Sequence, residues 1–370
     1  MQIPDENDGK TKNVLKEERT MKKKAAIGVL SVMLAAAIAA CGSSAGNSAA
    51  SSEAVTAAQS TGETTAEAKT DSTTDWPKGG IQMIIPLKAG GDTDFYGRTY
   101  SQYLEKELGV TITAMNVEGA GGTVGATQAS KAKPDGNTML FYHTGNMFTN
   151  EMLGTSDLQV DDFEIAAVGV LDNTNVLVAG KNSGFTDGKD FLEKVKANPK
   201  KYSVATTISG FSYYVVCKAE AVGGFELNPV DAGGASDMIP KILGNQCDLA
   251  MNSYGVFKQY VESGDVIPLM VFSEKRNPNF PDVPTAKELG LDCTAERAYF
   301  FAFPKGTDQA IVKKLSDAVG AVQDKQDYKD AIAKQYCVEP FYKSCDEAAD
   351  YIKAIHDDMM QYKDALNNSQ

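Results

Sequence analysis

Ile81-Gln82-Met83-Ile84-Ile85-Pro86-Leu87-Lys88-Ala89-Gly90-Gly91-Asp92-Thr93-Asp94-Phe95-Tyr96-Gly97-Arg98 is the stretch whose reading decides the fold. Its first residues form a short apolar, β-branched run stopped by Pro86, the pattern of a buried strand. Gly90 and Gly91 follow, then Asp92, Thr93 and Asp94, all favoured at helix starts. Phe95, Tyr103 and Leu104 recur at near-helical spacing, which predicts a helix to Leu108. A strand, a glycine loop and a helix start can hold an anion, because N–H groups point out of the helix and glycines admit a ligand to the backbone. The same unit also serves as a plain tight turn, so alone it names no function.

The unit recurs along the chain. Residues 110–115 read as a strand, followed by Gly119-Ala120-Gly121-Gly122-Thr123-Val124-Gly125 and a helix to Ala132. This run misses the dinucleotide fingerprint: Val124 stands where the third glycine belongs, and no acidic residue is placed for a ribose. Residues 138–142 read as a strand ending at the loop His143-Thr144-Gly145-Asn146. Residues 165–171 and 175–179 are predicted strands, and 191–197 a helix closed by Asn198-Pro199. A strand at 202–205 delivers Thr206-Thr207-Ile208-Ser209-Gly210-Phe211-Ser212 ahead of a helix at 213–222. Val230-Asp231-Ala232-Gly233-Gly234-Ala235-Ser236-Asp237 repeats the pattern before a helix carrying Met238, Ile239, Ile242 and Leu243. Residues 248–251 and 266–272 are further strands, and the remainder reads as helical apart from a strand at 298–303. This alternation argues an α/β fold with largely parallel sheets.

Residues 1–20 are polar and aperiodic. Met21-Lys22-Lys23-Lys24 then opens onto an apolar run, 25–40, the pattern of a secretory signal and too short for a membrane span of ~20 residues. Translation is expected to start at Met21. Ile38-Ala39-Ala40-Cys41 resembles a bacterial lipobox, which implies cleavage before Cys41 and lipid attachment to it. Residues 42–75 are almost wholly Ser, Ala, Thr, Gly and Glu, a composition that cannot build a core, so a disordered tether is expected. Its ends would lie roughly 30 Å apart, from about 5–6 Å × √n for a flexible chain.

From Trp76 to about Leu366 the chain is long enough for two domains. The formal net charge is −13 and no Lys/Arg cluster follows Lys24, which argues against nucleic acid and against polybasic membrane binding. After Cys41 the cysteines are Cys217, Cys247, Cys293, Cys337 and Cys345, without a CxxC pair, and the histidines are His143 and His356. A zinc site has no support in this pattern. Cys337 and Cys345 stand near enough to bridge, but buried reduced thiols are the simpler expectation.

In this order, the motifs resemble the solute-binding receptors of the tripartite tricarboxylate transporter family, also called Bug receptors. The resemblance runs from Trp76 to the end. It is carried by residues 86–94 with Arg98, by 119–125, by Lys133-Pro134-Asp135-Gly136-Asn137-Thr138, and by Ser209-Gly210-Phe211-Ser212. Gly233-Gly234-Ala235, Leu243-Gly244-Asn245-Gln246-Cys247-Asp248-Leu249, Arg276, Pro281-Asp282-Val283-Pro284-Thr285, Glu288-Leu289-Gly290 and Pro304-Lys305-Gly306-Thr307 extend it. It implies a two-domain, type II periplasmic-binding-protein-like α/β fold, with mainly parallel sheets and a ligand cleft between domains. The first domain would be 76–175 plus 267–370, the second 176–266. It implies a receptor that captures a small carboxylate (a di- or tricarboxylate, an aromatic acid or an acidic amino acid) and delivers it to membrane permease subunits. The receptor would be extracytoplasmic, anchored through Cys41, monomeric, and without cofactor, metal or catalysis. In family terms the 89–94 and 207–212 loops face each other across the cleft. The candidate ligand contacts are Ala89, Gly90, Gly91, Thr93, Asp94, Thr144, Ser209, Gly210, Phe211, Ser212 and Asn252.

Three departures from the family pattern bear on the ligand. Phe211 intervenes before Ser212, and Tyr213-Tyr214 occupy a region that carries His in relatives. Arg297-Ala298-Tyr299 stands near the usual Trp, and Asp231-Ala232 replace a Tyr and a Lys. Aromatic side chains there would narrow the cleft or wall it. An enzyme would need a nucleophile with a base; Ser209 and Ser212 lack a Gly-x-Ser-x-Gly setting, and His143 is the sole candidate base, more simply read as a loop histidine bonded to backbone. A structural adhesin would share the tether, but no repeat supports it.

Overall fold

The computed structural model describes residues 75–368. The leader, Cys41 and nearly all of the tether lie outside the described residues. In chain order the elements are β1 (Ile81–Ile85), α1 (Asp92–Leu108), β2 (Ile112–Asn116), α2 (Thr123–Ser130), β3 (Thr138–His143), α3 (Thr144–Met152), β4 (Phe163–Asp172) and β5 (Asn175–Gly180). Then come α4 (Gly188–Ala197), β6 (Ser203–Thr206), α5 (Phe211–Gly223), β7 (Asn228–Asp231), α6 (Ala235–Leu243), β8 (Leu249–Ser253), α7 (Tyr254–Glu262) and β9 (Val266–Val271). The chain ends with β10 (Arg297–Pro304), α8 (Gln309–Gln323), α9 (Gln326–Tyr336), α10 (Cys345–Met360) and α11 (Lys363–Asn368). Among the described residues, no helix is long and apolar enough to cross a membrane.

The strands build two five-stranded sheets, ordered β2-β1-β3-β10-β4 and β7-β6-β8-β5-β9. In each, four strands run one way. The fifth is reversed and sits inside the sheet, so both of its pairings are antiparallel: β10 against β3 and β4, β5 against β8 and β9. These reversed strands follow the two crossings. The chain leaves the first sheet after β4 and enters β5 through Asn173 and Thr174 alone; it returns through 272–296 into β10. The return expected at 267 falls inside β9, which pairs with β5 in the second sheet. The helical reading of the stretch after 272 also fails: Pro278, Pro281 and Pro284 deny it backbone donors, and only a short 3-10 turn, Lys287–Leu289, forms there.

Burial explains the strands. Every residue of β10 is buried, a near-continuous apolar run suited to a strand covered on both faces. One apolar core runs through both sheets, from Ile84, Leu140 and Phe300 to Leu177, Val204 and Met251. Each sheet has a further core on its other face, around Tyr100, Phe141 and Phe301 in the first and Val178, Met238 and Phe257 in the second. Cys217, Cys247, Cys293, Cys337 and Cys345 are reduced thiols, none bridged to another. Tyr100 is pinned in its core by donating to the Gly169 carbonyl at 2.6 Å.

Helix boundaries follow local chemistry. Gly109 takes φ 69° and its N–H returns to Glu105 O, a left-handed stop that glycine adopts without strain. The loop expected after β3 is instead α3: His143 caps it, its Nδ1 accepting from Asn146 N–H at 3.2 Å. On α2, Gly125 lies against the ends of β1 and β2. A Cβ there would stand 2.5 Å from Val117 O and 2.8 Å from Pro86 Cα, both backbone atoms that cannot swing away. Gly125→Ala is therefore expected to cost about 1–3 kcal/mol, the range for overpacking, read as a lower urea midpoint at unchanged m-value.

Candidate functional site

Four strand-exit loops converge on a cavity of about 370 Å³ between the two sheets. Residues 86–88, 91–93 and 118–122 come from the first sheet's side, and Thr207, Phe211, Ser212 and 233–237 from the second. The pairing of the jaws differs from the sequence expectation. Loop 88–92 faces 233–237: a Cβ on Gly91 would lie 3.7 Å from Ala235 Cβ, and Lys88 Nζ bonds both carboxylate oxygens of Asp237 at 2.8 Å. The 207–212 loop faces the 119–122 loop and α3. A Cβ on Gly121 would be 2.4 Å from Ser209 O, and Phe211 N–H donates to Asn146 Oδ1 at 2.8 Å. Sequence offers each jaw's chemistry but not its opposite number, which is set by how the two sheets stand.

The N–H groups of the helix-start loops differ in what they already bond. At α1, Thr93 N–H is taken by Asp92 Oδ1 at 2.6 Å and Gly90 N–H by Asp94 Oδ2 at 3.0 Å. At α5, Thr207 N–H goes to Ser212 Oγ at 2.9 Å, Gly210 N–H to Thr207 O at 2.8 Å and Phe211 N–H to Asn146. At α6, Gly233 N–H goes to Asp231 Oδ1 at 3.1 Å. No hydrogen bond among the described residues uses the N–H groups of Gly234, Ala235 or Ser236, and all three line the cavity. A helix start with free donors and a partial positive charge is suited to an anion. The strand–loop–helix unit at 230–243 was thus visible in sequence, though none of its residues was among the expected contacts.

A buried ion cage forms the cavity floor. Arg297, at the start of β10, is 5% exposed and lines the cavity. Asp172 Oδ2 at 3.0 Å, Asp92 Oδ2, Ser253 Oγ and, at 3.4 Å, Asn252 Oδ1 surround Nη2 and share its two N–H groups; Nε donates to Asp172 Oδ2 at 3.2 Å. Nη1 takes part in none of these bonds. Burial alone would favour the neutral guanidine, but the charge of Asp92, with Asp172 and its hydrogen bond, outweighs it and raises the Arg297 pKa. Next to it His143 is buried, and that burial, then the Arg297 charge, pushes its imidazole well below the ordinary histidine range. It is a neutral cap, the bland alternative to a catalytic base.

Of the candidate residues, Gly91, Thr93, Phe211, Ser212 and Asn252 line the cavity. Ala89, Gly90, Asp94, Thr144, Ser209 and Gly210 do not. Asp94 turns back to cap Gly90 and holds Arg98 Nε at 2.7 Å; Thr144 is buried and accepts Ala298 N–H at 3.1 Å. Gly90 opens toward a different surface depression. Phe211 lines the cavity, its ring 5.6 Å from the Arg297 guanidinium carbon; it packs in the same apolar core as Tyr213 and Tyr214, which do not line the cavity. Lys88, Glu118, Asp237 and Arg297 also line the cavity and were not foreseen as contacts.

Among the described residues, no cluster of His, Cys, Asp and Glu could hold a metal ion. The family described as TctC, tripartite tricarboxylate transporter family receptor, matches residues 97–368. The UPF0065 protein in the gbd 5' region of Cupriavidus necator is 28% identical over 278 residues, 74% of this chain and 84% of that one. The periplasmic binding protein BugD superposes with a TM-score of 0.72 at 26% identity, covering 78% of this chain and 98% of its own. MatC from Rhodopseudomonas palustris with bound malate shares the fold at a TM-score of 0.70 and 23% identity, over 79% of this chain and all of that one. The architecture is the two-domain, type II periplasmic-binding-protein-like fold, and the family and these neighbours are solute-binding proteins, not enzymes. With its glycine loops, crossing strands and inter-sheet cavity in place, the chain belongs to the tripartite tricarboxylate transporter family of receptors.

Proposed function

We propose that this receptor captures a small carboxylate in the cavity between its sheets and delivers it to the membrane permease subunits of a tripartite tricarboxylate transporter. The observation that carries the reading is the free N–H triplet of Gly234, Ala235 and Ser236, set across from Gly91 and the α1 start around one cavity. Charge-assisted bonds from oriented N–H groups are roughly twice as strong as neutral ones, so a carboxylate is the natural occupant. A solute touching both jaws favours the closed arrangement by its differential affinity, with the two crossings as hinge. The receptor works outside the cytoplasm as a monomer, held to the membrane by lipid on Cys41; the lipobox-like Ile38-Ala39-Ala40-Cys41 motivates the anchor. Cys41→Ser should move the protein from the membrane to the soluble fraction of its host, and unchanged membrane retention would exclude the anchor.

The cleft itself is tested at Gly91. Its φ of −90° suits any residue, and a Cβ meets nothing nearer than 3.7 Å, so Gly91→Val should fold with an unchanged circular dichroism spectrum. The added methyls would stand between the jaws. Calorimetry with the copurified acid is expected to show at least tenfold weaker binding; wild-type affinity would place the solute elsewhere.

His143 gives a pH signature. Held neutral, it leaves solute affinity flat from pH 8 to 6. Unfolding frees the imidazole to take a proton at its ordinary value near 6.5, so its contribution to stability is intact above that pH and is lost as pH falls below it. The expected slope is at most about 1.4 kcal/mol per pH unit, measured by urea unfolding, and His143→Gln should remove that share of it.

A further inference from the structure

The charges of the cavity wall narrow the solute, on the reading just proposed. Among the described residues the ionisable groups lining the cavity are Lys88, Asp92, Glu118, His143, Asp237 and Arg297. Lys88 is matched by Asp237, which gives it both carboxylate oxygens. Arg297 is matched twice, by Asp92 beside it and by Asp172, fully buried behind it. His143 uses Nδ1 as an acceptor. Glu118 is exposed and makes no ion pair or hydrogen bond among the described residues, although its charge reaches Lys88. Every cation is therefore matched, and the surplus is negative. Only Nη1 of Arg297, whose guanidinium carbon lies 5.6 Å from the Phe211 ring, is left without a bond in the cage.

We propose that Arg297 sets the charge of the solute. Its Nη1 takes one carboxylate at the cavity floor, while Asp92, Asp172 and Glu118 oppose a second unmatched negative charge. The solute class is a small acid of net charge −1 or zero, whose carboxylate is accompanied by a neutral or an ammonium group. A di- or tricarboxylate anion would bring two or three negative charges to a wall with no unmatched cation, and free N–H groups carry only partial charge. The N–H groups of Gly234–Ser236 can bond the oxygen of an amide or hydroxyl as readily as a carboxylate. Asp92 and Asp172 act here as positioning residues, since they fix the guanidinium and set the local field.

The test is calorimetry on the dialysed wild-type protein with acids matched in shape. Diacids of four to six carbons are compared with their half-amides and their amino-acid counterparts, benzoate with phthalate, and citrate is added. The half-amide or the amino acid is expected to bind at least tenfold tighter than the matching diacid. Asp92→Asn should shrink that ratio at least threefold, whereas a merely structural role would weaken all acids alike and leave the ratio unchanged. Glu118→Gln, on an exposed side chain, separates the two sources of charge. A ratio that falls for the amino acid alone assigns the ammonium to Glu118, and a ratio that falls for both assigns a general field. Tighter binding of the diacids or citrate to the wild type would overturn the charge selection and leave the carboxylate receptor standing. Binding of no acid in the set would overturn both. If Asp92→Asn fails to fold by circular dichroism, the wild-type ratios and Glu118→Gln still decide the matter.

Discussion

A guanidinium buried where two sheets meet is the constraint on which the rest of this molecule depends. Taking a charge out of water costs several kcal/mol even after relaxation, and the cost is offset only by well-placed partners. Arg297 finds them at four chain positions: Asp92 at the α1 start, Asp172 at the end of β4, and Asn252 and Ser253 at the end of β8. Asp172 also accepts from Thr174 N–H at 2.8 Å and Oγ1 at 2.7 Å, and from Ser253 Oγ at 2.5 Å, so the two-residue crossing is fixed to the same carboxylate. One ion cage thereby ties the outgoing crossing, the returning strand, the second sheet and the first anion loop to a common point. Removing Arg297 would leave Asp172 buried without its cation, typically about 3–5 kcal/mol, whereas removing one carboxylate leaves the guanidinium the other.

The cage bears on how an acidic protein would hold the proposed anion. With a Debye length of about 8 Å in physiological salt, the surface charge behind the formal −13 hardly reaches the cavity. What matters is the wall itself, where carboxylates are consumed by Lys88 and Arg297 or turned back to cap their own loops, as Asp94 caps Gly90. For the proposed solute that leaves Nη1 of Arg297 and the main-chain N–H groups of α6, whose dipoles are fixed by backbone geometry rather than by titration.

Much of this was legible in the sequence. The strands announced themselves as short apolar runs with turn residues behind them, and nine of the ten lie close to where the pattern put them, with β7 implied by the repeat that ends at Asp237. The glycine loops were legible as places for close approach, and Gly121, pressed against Ser209 O, is one. Three things were not. Which loop faces which is a property of two sheets joined by crossings, and no local pattern carries it. Arg297 reads as an ordinary polar residue before an apolar strand, because its burial depends on carboxylates 125 and 205 residues away. Tyr213 and Tyr214 stand beside Phe211 in sequence and share its core, but a helix turns Tyr213 about 200° away, and Tyr214, stacked on Phe211 at 5.6 Å, does not line the cavity.

The two sides of the molecule are unequal, and this bears on how the proposed receptor would move. On the hinge side one apolar core runs unbroken through both sheets, and Phe272 N–H and Ala295 N–H secure the return crossing to Asn175 O and Phe272 O at 2.8 Å each. At the cleft mouth the sheets meet through the Lys88–Asp237 pair, whose side chains are 49% and 36% exposed. Exposed pairs contribute about 0–1 kcal/mol, too little to hold a cleft shut. Deeper in, the jaws touch through single bonds such as Phe211 N–H to Asn146, which water can replace. The N–H groups of Gly234, Ala235 and Ser236 bond no protein group among the described residues. A solute that bonds them and the opposite loop at once supplies what the closed arrangement lacks. Its difference in affinity between the two arrangements then sets the population, while the shared core keeps the sheets from separating.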